Sequence, residues 1–326
     1  MDVVYASNEH YARHLGVSMY SLLDHNQVME RIRVFVLDVD ISPESRDKLK
    51  EIAAHFEREL VFVPMGDLKA RFPYEIDTGG FDISAMGRLF VGTVLPEDVE
   101  RVLYLDCDTV VLASLRKLWD MELSGRLLGA VMEPTIYRQV KESIGLEEKD
   151  AYYNSGVLLI DVKRWRETEA ERRLVEFYGQ LGGKTFACDQ DTLNGALKGQ
   201  IKALSPRYNF FTNYRYFHYR DLVKQSPAYR AVPKAVFQRA KRHPAVLHYA
   251  GDERPWKEGN LCHYRLAYEQ YLEMTPWRGT PKESANKWYL LAYHMMDYLT
   301  FVCPASRRWI SSRFGMKVVE QRKAGK

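Results

Sequence analysis

Two aspartates one residue apart close an apolar run in Arg101–Leu112, RVLYLDCDTVVL, and no other residues in the chain imply chemistry so directly. Val102–Leu105 reads as a buried strand that ends abruptly in Asp106-Cys107-Asp108. Side chains two apart on an extended chain share a face, so both carboxylates can aim at one point beyond the sheet. Like charges that close repel, and an oxygen-seeking divalent cation relieves the repulsion. The competing reading is a D-x-D turn that merely caps the next helix, and a buried strand leading straight into the pair argues against it. Two reaction classes use such a pair. In one the first aspartate is a nucleophile that takes up a phosphoryl group; in the other both carboxylates hold a metal.

The elements that must position the pair alternate between strand and helix. Asp2–Ser7, Arg31–Val39, Leu60–Pro64, Val102–Leu105, Leu128–Met132 and Val157–Val162 are short, apolar and rich in β-branched residues. Tyr11–His25 has helical spacing, and Ser42-Pro43-Glu44 combines a capping hydroxyl, a first-turn proline and an acid at the positive dipole end of a helix running to Phe56. This alternation predicts an α/β fold with a largely parallel sheet covered on both faces and a site at the carboxyl ends of its strands. At 326 residues the chain exceeds one compact core. We expect a catalytic domain over 1–260 and a helical, basic extension over 261–326, where strand signals cease.

Composition narrows the partners. Hydrophobic residues at 46% and aromatics at 13% are globular values, and a net charge of +4 is too mild to argue nucleic-acid binding. Cys107, Cys188, Cys262 and Cys303 form no C-x-x-C pair, so they read as reduced thiols of a cytoplasmic protein. Asp2 leading straight into a strand predicts no signal peptide. The longest apolar stretch, Trp288–Cys303, contains His294 and Asp297 and is too short to span a bilayer. Phe301–Lys326 sets Arg307, Arg308, Arg313, Lys317, Arg322, Lys323 and Lys326 against the single acid Glu320. With Trp309, Ile310, Phe314, Val318 and Val319 interleaved, it suits peripheral contact with the inner face of a membrane; a solvated tail is the other reading.

Asp106-Cys107-Asp108-Thr109 partly resembles the D-x-D-x-T of haloacid-dehalogenase-like magnesium phosphatases, with its threonine one place early. In that family the motif lies on the first strand, whereas several strand–helix units precede it here. The late acidic motif is also missing, since Gly251-Asp252 continues as Glu-Arg-Pro-Trp. Four further segments point elsewhere: YASNEHYARHLGVSMYSLL (Tyr5–Leu23), YYNSGVLLIDVKRW (Tyr152–Trp165), DQDTLN (Asp189–Asn194) and HYAGDERPW (His248–Trp256). In this order around the D-x-D they resemble glycosyltransferase family 8, the family of glycogenin and of the lipooligosaccharide galactosyltransferases of Gram-negative bacteria. The resemblance covers residues 1–260. It implies a GT-A fold (a Rossmann-like, mostly parallel sheet flanked by helices), a UDP-sugar donor, a manganese ion and transfer with retention at the anomeric carbon.

Carried over by position, the resemblance implies that Asp106 and Asp108 bind the metal, with the Asp106-Cys107 corner near the ribose, and that His248 completes the metal site. Two carboxylates, an imidazole and diphosphate oxygens suit manganese better than calcium, with magnesium the alternative. Arg88 matches the arginine that reaches the donor sugar and phosphate. Ala6, Asn8 and Tyr11 match the loop around uracil and ribose, although Asn8 replaces a more usual Asp. Asn154-Ser155-Gly156 matches the segment on the hexose, and Asp189 and Gln190 match the pair nearest the sugar. Asp191 reads as first-turn helix charge. In the loop 251–257 the family's G-x-x-K-P-W is replaced by Gly251-Asp252-Glu253-Arg254-Pro255-Trp256, with Lys257 as a second cation for the phosphates.

The expected reaction is transfer of glucose or galactose to a glycan or lipid-linked acceptor. No glutamate in these motifs is placed as a nucleophile, so same-face attack with Gln190 positioning and Asp189 orienting the sugar is the expected course. A non-catalytic nucleotide-sugar-binding protein would keep Asp106, Asp108 and Arg88 but could lose Asp189-Gln190. The aromatic segment Tyr208–Arg220 is a candidate for stacking on acceptor sugars, with core packing as its other reading.

Overall fold

The structure is a computed structural model that describes residues 1–310 and 313. Ten strands occur in the described residues: β1 (Asp2–Ser7), β2 (Arg33–Asp38), β3 (Glu59–Pro64), β4 (Arg101–Leu105), β5 (Thr109–Val111), β6 (Leu128–Met132), β7 (Tyr153–Asp161), β8 (Ile201–Leu204), β9 (Phe210–Phe211) and β10 (Val246–His248). Seven of them form one sheet in the order β3-β2-β1-β4-β7-β6-β8. Pairings are parallel except at β7, which runs antiparallel to both β4 and β6. Because both faces are covered, the central strands carry unbroken apolar runs: Val4 and Ala6 enter one core, Val3 and Tyr5 the other. The doubly covered, mostly parallel sheet matches the expected GT-A architecture.

The flanking helices follow from local sequence. Ala12–His25 buries Leu15, Met19 and Leu22, an apolar stripe at helical spacing. Pro43–His55 starts as expected, with Ser42 Oγ accepting from the Ser45 amide at 3.2 Å and Pro43 in the first turn. A three-stranded sheet, β5-β10-β9, was not legible in the sequence. It pairs His248 with Thr109 on one side and Phe211 on the other, which carries a histidine from late in the chain to the aspartate pair.

Beyond residue 261 the described chain is helical, at Arg265–Met274, Lys287–Val302 and Pro304–Ile310. The first of these packs on Ala12–His25. Arg13 pairs with Glu283 at 2.8 Å, and the ring of Trp277 lies so close over Gly16 that a Cβ there would meet it at 2.5 Å. Most of Tyr208–Arg220 is core: Tyr208, Phe210, Tyr214, Tyr216 and Phe217 are buried. The side chains of Arg307 and Arg308, and residues Phe314, Lys317, Val318, Val319, Glu320, Arg322, Lys323 and Lys326 of the basic tail, lie outside the described residues. No described helix is long and apolar enough to cross a membrane.

Candidate active site

The aspartate pair sits in a tight turn between β4 and β5, not on extended chain as its spacing suggested. No helix follows it, so its carboxylates are not caps. The turn is fixed by backbone: the Asp106 amide donates to Gly156 O at 2.8 Å, and Thr109 Oγ1 donates to Asp106 O at 2.8 Å. Both carboxylates still converge. His248 Nε2 lies 3.2 Å from Asp108 Oδ1 and 3.9 Å from Asp106 Oδ2, and one ligand atom from each residue falls within 4.8 Å of the others.

This donor set fits a divalent cation. His248 Nδ1 lies 2.8 Å from Asn209 Oδ1, an acceptor, so Nδ1 carries a proton, and the neutral ring would offer its Nε2 lone pair to a cation. Burial disfavours the charged imidazole, but Asp108 and then Asp106 outweigh it and hold the His248 pKa above its ordinary value. Asp108 is correspondingly held below the usual carboxylate range: burial opposes this, and His248 and Arg254 prevail. A cation between them would take over that charge-neutralising role. Gly156 leaves the necessary room, since a Cβ there would stand 2.4 Å from His248 Cε1 and 2.8 Å from Asp106 Oδ2.

Arg88 forms the second focus. It comes from the 3-10 turn Ile83–Phe90, is 3% exposed, and donates through Nε to Ala85 O, Nη1 to Ser155 O and Nη2 to Asp106 Oδ1 at 2.9, 2.6 and 2.7 Å. Its guanidinium lies over the Tyr104 ring at 4.3 Å. Asp189 Oδ2 is 3.1 Å from Arg88 Nε, yet that N–H is aimed at Ala85 O, so the pair is ionic without an aligned hydrogen bond. Burial raises the Asp189 pKa to about 6, against the pull of Arg88. Asp189 is the second residue of the helix Cys188–Ala196, whose first residue, Cys188, has φ of 51°, a left-handed conformation costly outside glycine.

A chain of amides joins the two foci. Asn209 Nδ2 donates to Asn154 Oδ1 at 2.6 Å, and Asn154 Nδ2 donates to Gln190 Oε1 at 2.6 Å. Gln190 Oε1 also accepts from the Ser155 amide, and Gln190 Nε2 donates to Glu133 Oε2 and Tyr152 Oη at 3.1 and 3.0 Å. Tyr152 in turn donates to Asp191 Oδ1 at 2.6 Å, and Asp191 Oδ2 accepts from the Ala187 amide, the first-turn role expected of it. Every polar atom of the Gln190 carboxamide is therefore engaged by protein.

Thirteen of the residues singled out by sequence line one cavity of about 340 Å³: Ala6, Tyr11, Arg88, Asp106, Cys107, Asp108, Asn154, Ser155, Asp189, Gln190, His248, Gly251 and Arg254. Gly251 has φ of 68°, which a glycine adopts without strain. Burial pushes the Cys107 thiol up and Tyr11 to about 12, so neither titrates near neutrality. Three expected residues are not in the lining: Gly156, which lies beside His248, and Asn8 and Lys257. Asn8 accepts from the Tyr11 amide and donates to Asp82 Oδ2 at 2.6 Å, so it braces Asp82, which does line the cavity. Lys257 lies beyond it, bridged through its backbone to Glu283.

The structure also adds residues that the motifs did not carry. Glu133, just past β6, lines the cavity, accepts from Asn154 and Gln190 and has its pKa raised by burial. It lies outside the motifs, in which no glutamate was expected as a nucleophile. Its one sequence signal was its place at the end of a strand. Asn209 gave no signal, and Phe211, edge-on to His248 at 5.1 Å, was visible only as one aromatic among many.

The family model of glycosyl transferase family 8 matches residues 2–259. The chain is 26% identical over 290 residues to general stress protein A of Bacillus subtilis, covering 88% of this chain and 98% of that protein. It is 23% identical to the lipopolysaccharide 1,2-glucosyltransferase of Escherichia coli, over 88% of this chain and 81% of that one. Among solved structures it is similar to galactosyltransferase LgtC in complex with donor and acceptor sugar analogues, with a TM-score of 0.71 and 29% identity over 85% of this chain and 96% of that one.

Proposed function

The chain belongs to glycosyl transferase family 8, and from that premise we propose that it moves glucose or galactose from a UDP-sugar to a glycan or lipid-linked acceptor, with a manganese ion and with retention. The observation that carries the proposal is the convergence of Asp106, Asp108 and His248 beside Arg88 in a single cavity. A sugar acceptor and donor fit the relatives, two of which are named for glucosyl and galactosyl transfer.

Cleavage of the donor leaves negative charge on the diphosphate; Asp106, Asp108 and His248 would hold a divalent ion, which would supply Lewis-acid neutralisation there. The rest falls to the chain itself. Asp106 and Asp108 present hard oxygen donors, and the hydrogen bond from His248 Nδ1 to Asn209 keeps Nε2 directed at them. Arg254, whose charge already acts on Asp108, faces the same cavity and suits the phosphates. Arg88 and Asp189 form a buried, fixed pair against which sugar hydroxyls can orient. Positive charge at the anomeric carbon is met by the surrounding carboxylates.

We favour same-face attack. The Gln190 amide is a weak nucleophile, and Oε2 of Glu133 is occupied by two N–H donors. A trapped sugar adduct on Glu133 or Gln190 would overturn that preference. A phosphatase gains no support: the pair ends the fourth strand of the chain, and an aspartyl-phosphate has no use for His248.

Calorimetry of UDP binding with manganese, then with chelator, tests the core of the proposal on wild type and Asp108→Ala. Metal-dependent binding that the variant loses is expected, and NMR of the sugar product would then read its anomeric configuration. No binding of UDP under any condition would refute the donor assignment.

A further inference from the structure

His294 and Asp297 interrupt the apolar run of the helix Lys287–Val302, and the donor site gives them no role. Three residues apart, they share one face of the helix, and that face is turned inward. Glu253 meets them from the loop between Gly251 and Arg254, and none of the three is more than 3% exposed. Carboxylates at that depth stay ionised only beside a compensating charge, hydrogen bonds or a metal.

The three side chains are spaced as ligands around an ion. His294 Nδ1 lies 3.3 Å from Asp297 Oδ2 and 3.9 Å from Glu253 Oε1, and one ligand atom from each residue falls within 4.8 Å of the others. A charge-assisted hydrogen bond would draw nitrogen and oxygen to about 2.8 Å. Two ligands about 2.1 Å from a tetrahedral ion stand about 3.4 Å apart instead. The donor site repeats the pattern, with His248 Nε2 at 3.2 and 3.9 Å from its two aspartates.

Each ligand is also aimed. Glu253 Oε2 accepts from Thr212 Oγ1 at 2.8 Å while Oε1 faces His294. His294 Nε2 is buried without a hydrogen-bond partner among the described residues, so the polar contacts of the ring all lie on the carboxylate side. No described group outside the cluster fixes the ring proton on either nitrogen, and Nδ1 is free to offer its lone pair inward.

We propose that Glu253, His294 and Asp297 hold a second divalent ion, separate from the donor site. One imidazole among oxygen donors suits a transition ion better than calcium or magnesium, and three protein ligands with a water complete the tetrahedron zinc prefers. The ion ties the helix to the loop that carries Arg254, which lines the cavity. Tyr289 makes a second tie between the same two elements, donating to Asp252 Oδ2 at 2.8 Å. The site stands on its own observations and does not depend on the donor chemistry proposed above.

Metal analysis of the full chain tests it, in an Asp108→Ala background that removes a ligand of the donor site. Expressed with zinc and then desalted, that chain should retain about one zinc ion, read by plasma mass spectrometry. Adding His294→Gln should weaken zinc at least about 100-fold in competition with a chromophoric chelator. Cobalt in place of zinc should give ligand-field bands without thiolate charge transfer, because no cysteine takes part. The zinc content and the cobalt spectrum are read on an unaltered cluster, so they decide the matter even where His294→Gln fails to fold. No zinc retained by the Asp108→Ala chain, or zinc kept by a folded His294→Gln variant, would overturn the proposal. So would a thiolate band, which assigns the ion to a cysteine. None of these readouts uses UDP, so failure of this site and failure of the donor assignment are distinguishable.

Discussion

Replacing Gly156 by alanine should abolish metal-dependent donor binding without unfolding the protein. Gly156 lies in β7 at the register shift of its pairing with β6, and its carbonyl accepts the Asp106 amide. That bond to the turn carrying Asp106 limits how far the backbone can move away from an added methyl group. That methyl would stand 2.4 Å from His248 Cε1 and 2.8 Å from both His248 Nδ1 and Asp106 Oδ2. Ordinary carbon contacts lie near 3.5 Å, so the imidazole must retreat by about 1 Å. Metal–ligand distances tolerate only about 0.2 Å. Moving the ring also strains its bond to Asn209 and its edge contact with Phe211.

The expected loss in manganese affinity is at least about 100-fold, larger than that of most outer-sphere changes. Overpacking should cost about 1–3 kcal/mol of stability, visible as a modest fall in melting temperature. Manganese titration followed by electron paramagnetic resonance reads the first quantity, and calorimetry of UDP with and without metal reads its consequence. If the folded variant bound manganese and UDP within threefold of wild type, His248 and Asp106 would not be joint ligands, and the site as described would be wrong.

Asn209→Ala removes the acceptor that sets the His248 tautomer; manganese affinity should fall about 10- to 100-fold. Asn209→Asp should recover most of it at some cost in stability, because the new carboxylate faces Asn154 Oδ1 with no donor, and an unchanged affinity in the alanine variant would contradict the assignment. His14 gives a pH dependence of stability. It stacks on Trp256 at 4.1 Å and lies 2.7 Å from Tyr268 Oη; burial, opposed by Glu283, lowers its pKa from 6.5 to about 4. A folded pKa below the unfolded one means that the unfolded chain takes the proton first, so this stability is complete above pH 6.5 and is lost as pH falls towards 4. Between pH 7.5 and 4.5 the loss is about 2.5 kcal/mol. Urea unfolding at the two pH values should show wild type losing that much more than His14→Gln, and parallel losses would rule the histidine out.

The sheet was legible because its central strands are buried on both faces, which writes unbroken apolar runs into Val3–Ala6 and Val34–Leu37. Helix starts were legible where one side chain carries the signal, as Ser42 does. The small sheet was not. Its strands are two or three residues long, too short for any periodicity, and their pairing joins Thr109 to His248 across the length of the domain. The aspartate pair was found by type and spacing, but the spacing argument assumed extended chain where the structure has a turn. Both carboxylates reach the same point because His248 and Gly156 close it from other strands.

The same cause explains which site residues were missed. Asn209 and Glu133 act through partners 39, 55, 21 and 57 residues away. Nothing local distinguishes either from an ordinary loop asparagine or a strand-end glutamate. What the structure adds is the connection between them: His248, Asn209, Asn154, Gln190, Tyr152 and Asp191 form one hydrogen-bonded chain from the proposed metal ligands to the first turn of the helix that carries Asp189. In such a chain each amide is oriented by its neighbours, so the Gln190 carboxamide cannot flip without breaking bonds to Asn154, Ser155, Glu133 and Tyr152 together. A sugar that reached Gln190 would have to replace one of those bonds. Contact between donor and Gln190 is thereby coupled to the orientation of His248, and a single substitution in the chain should disturb metal binding and sugar binding together.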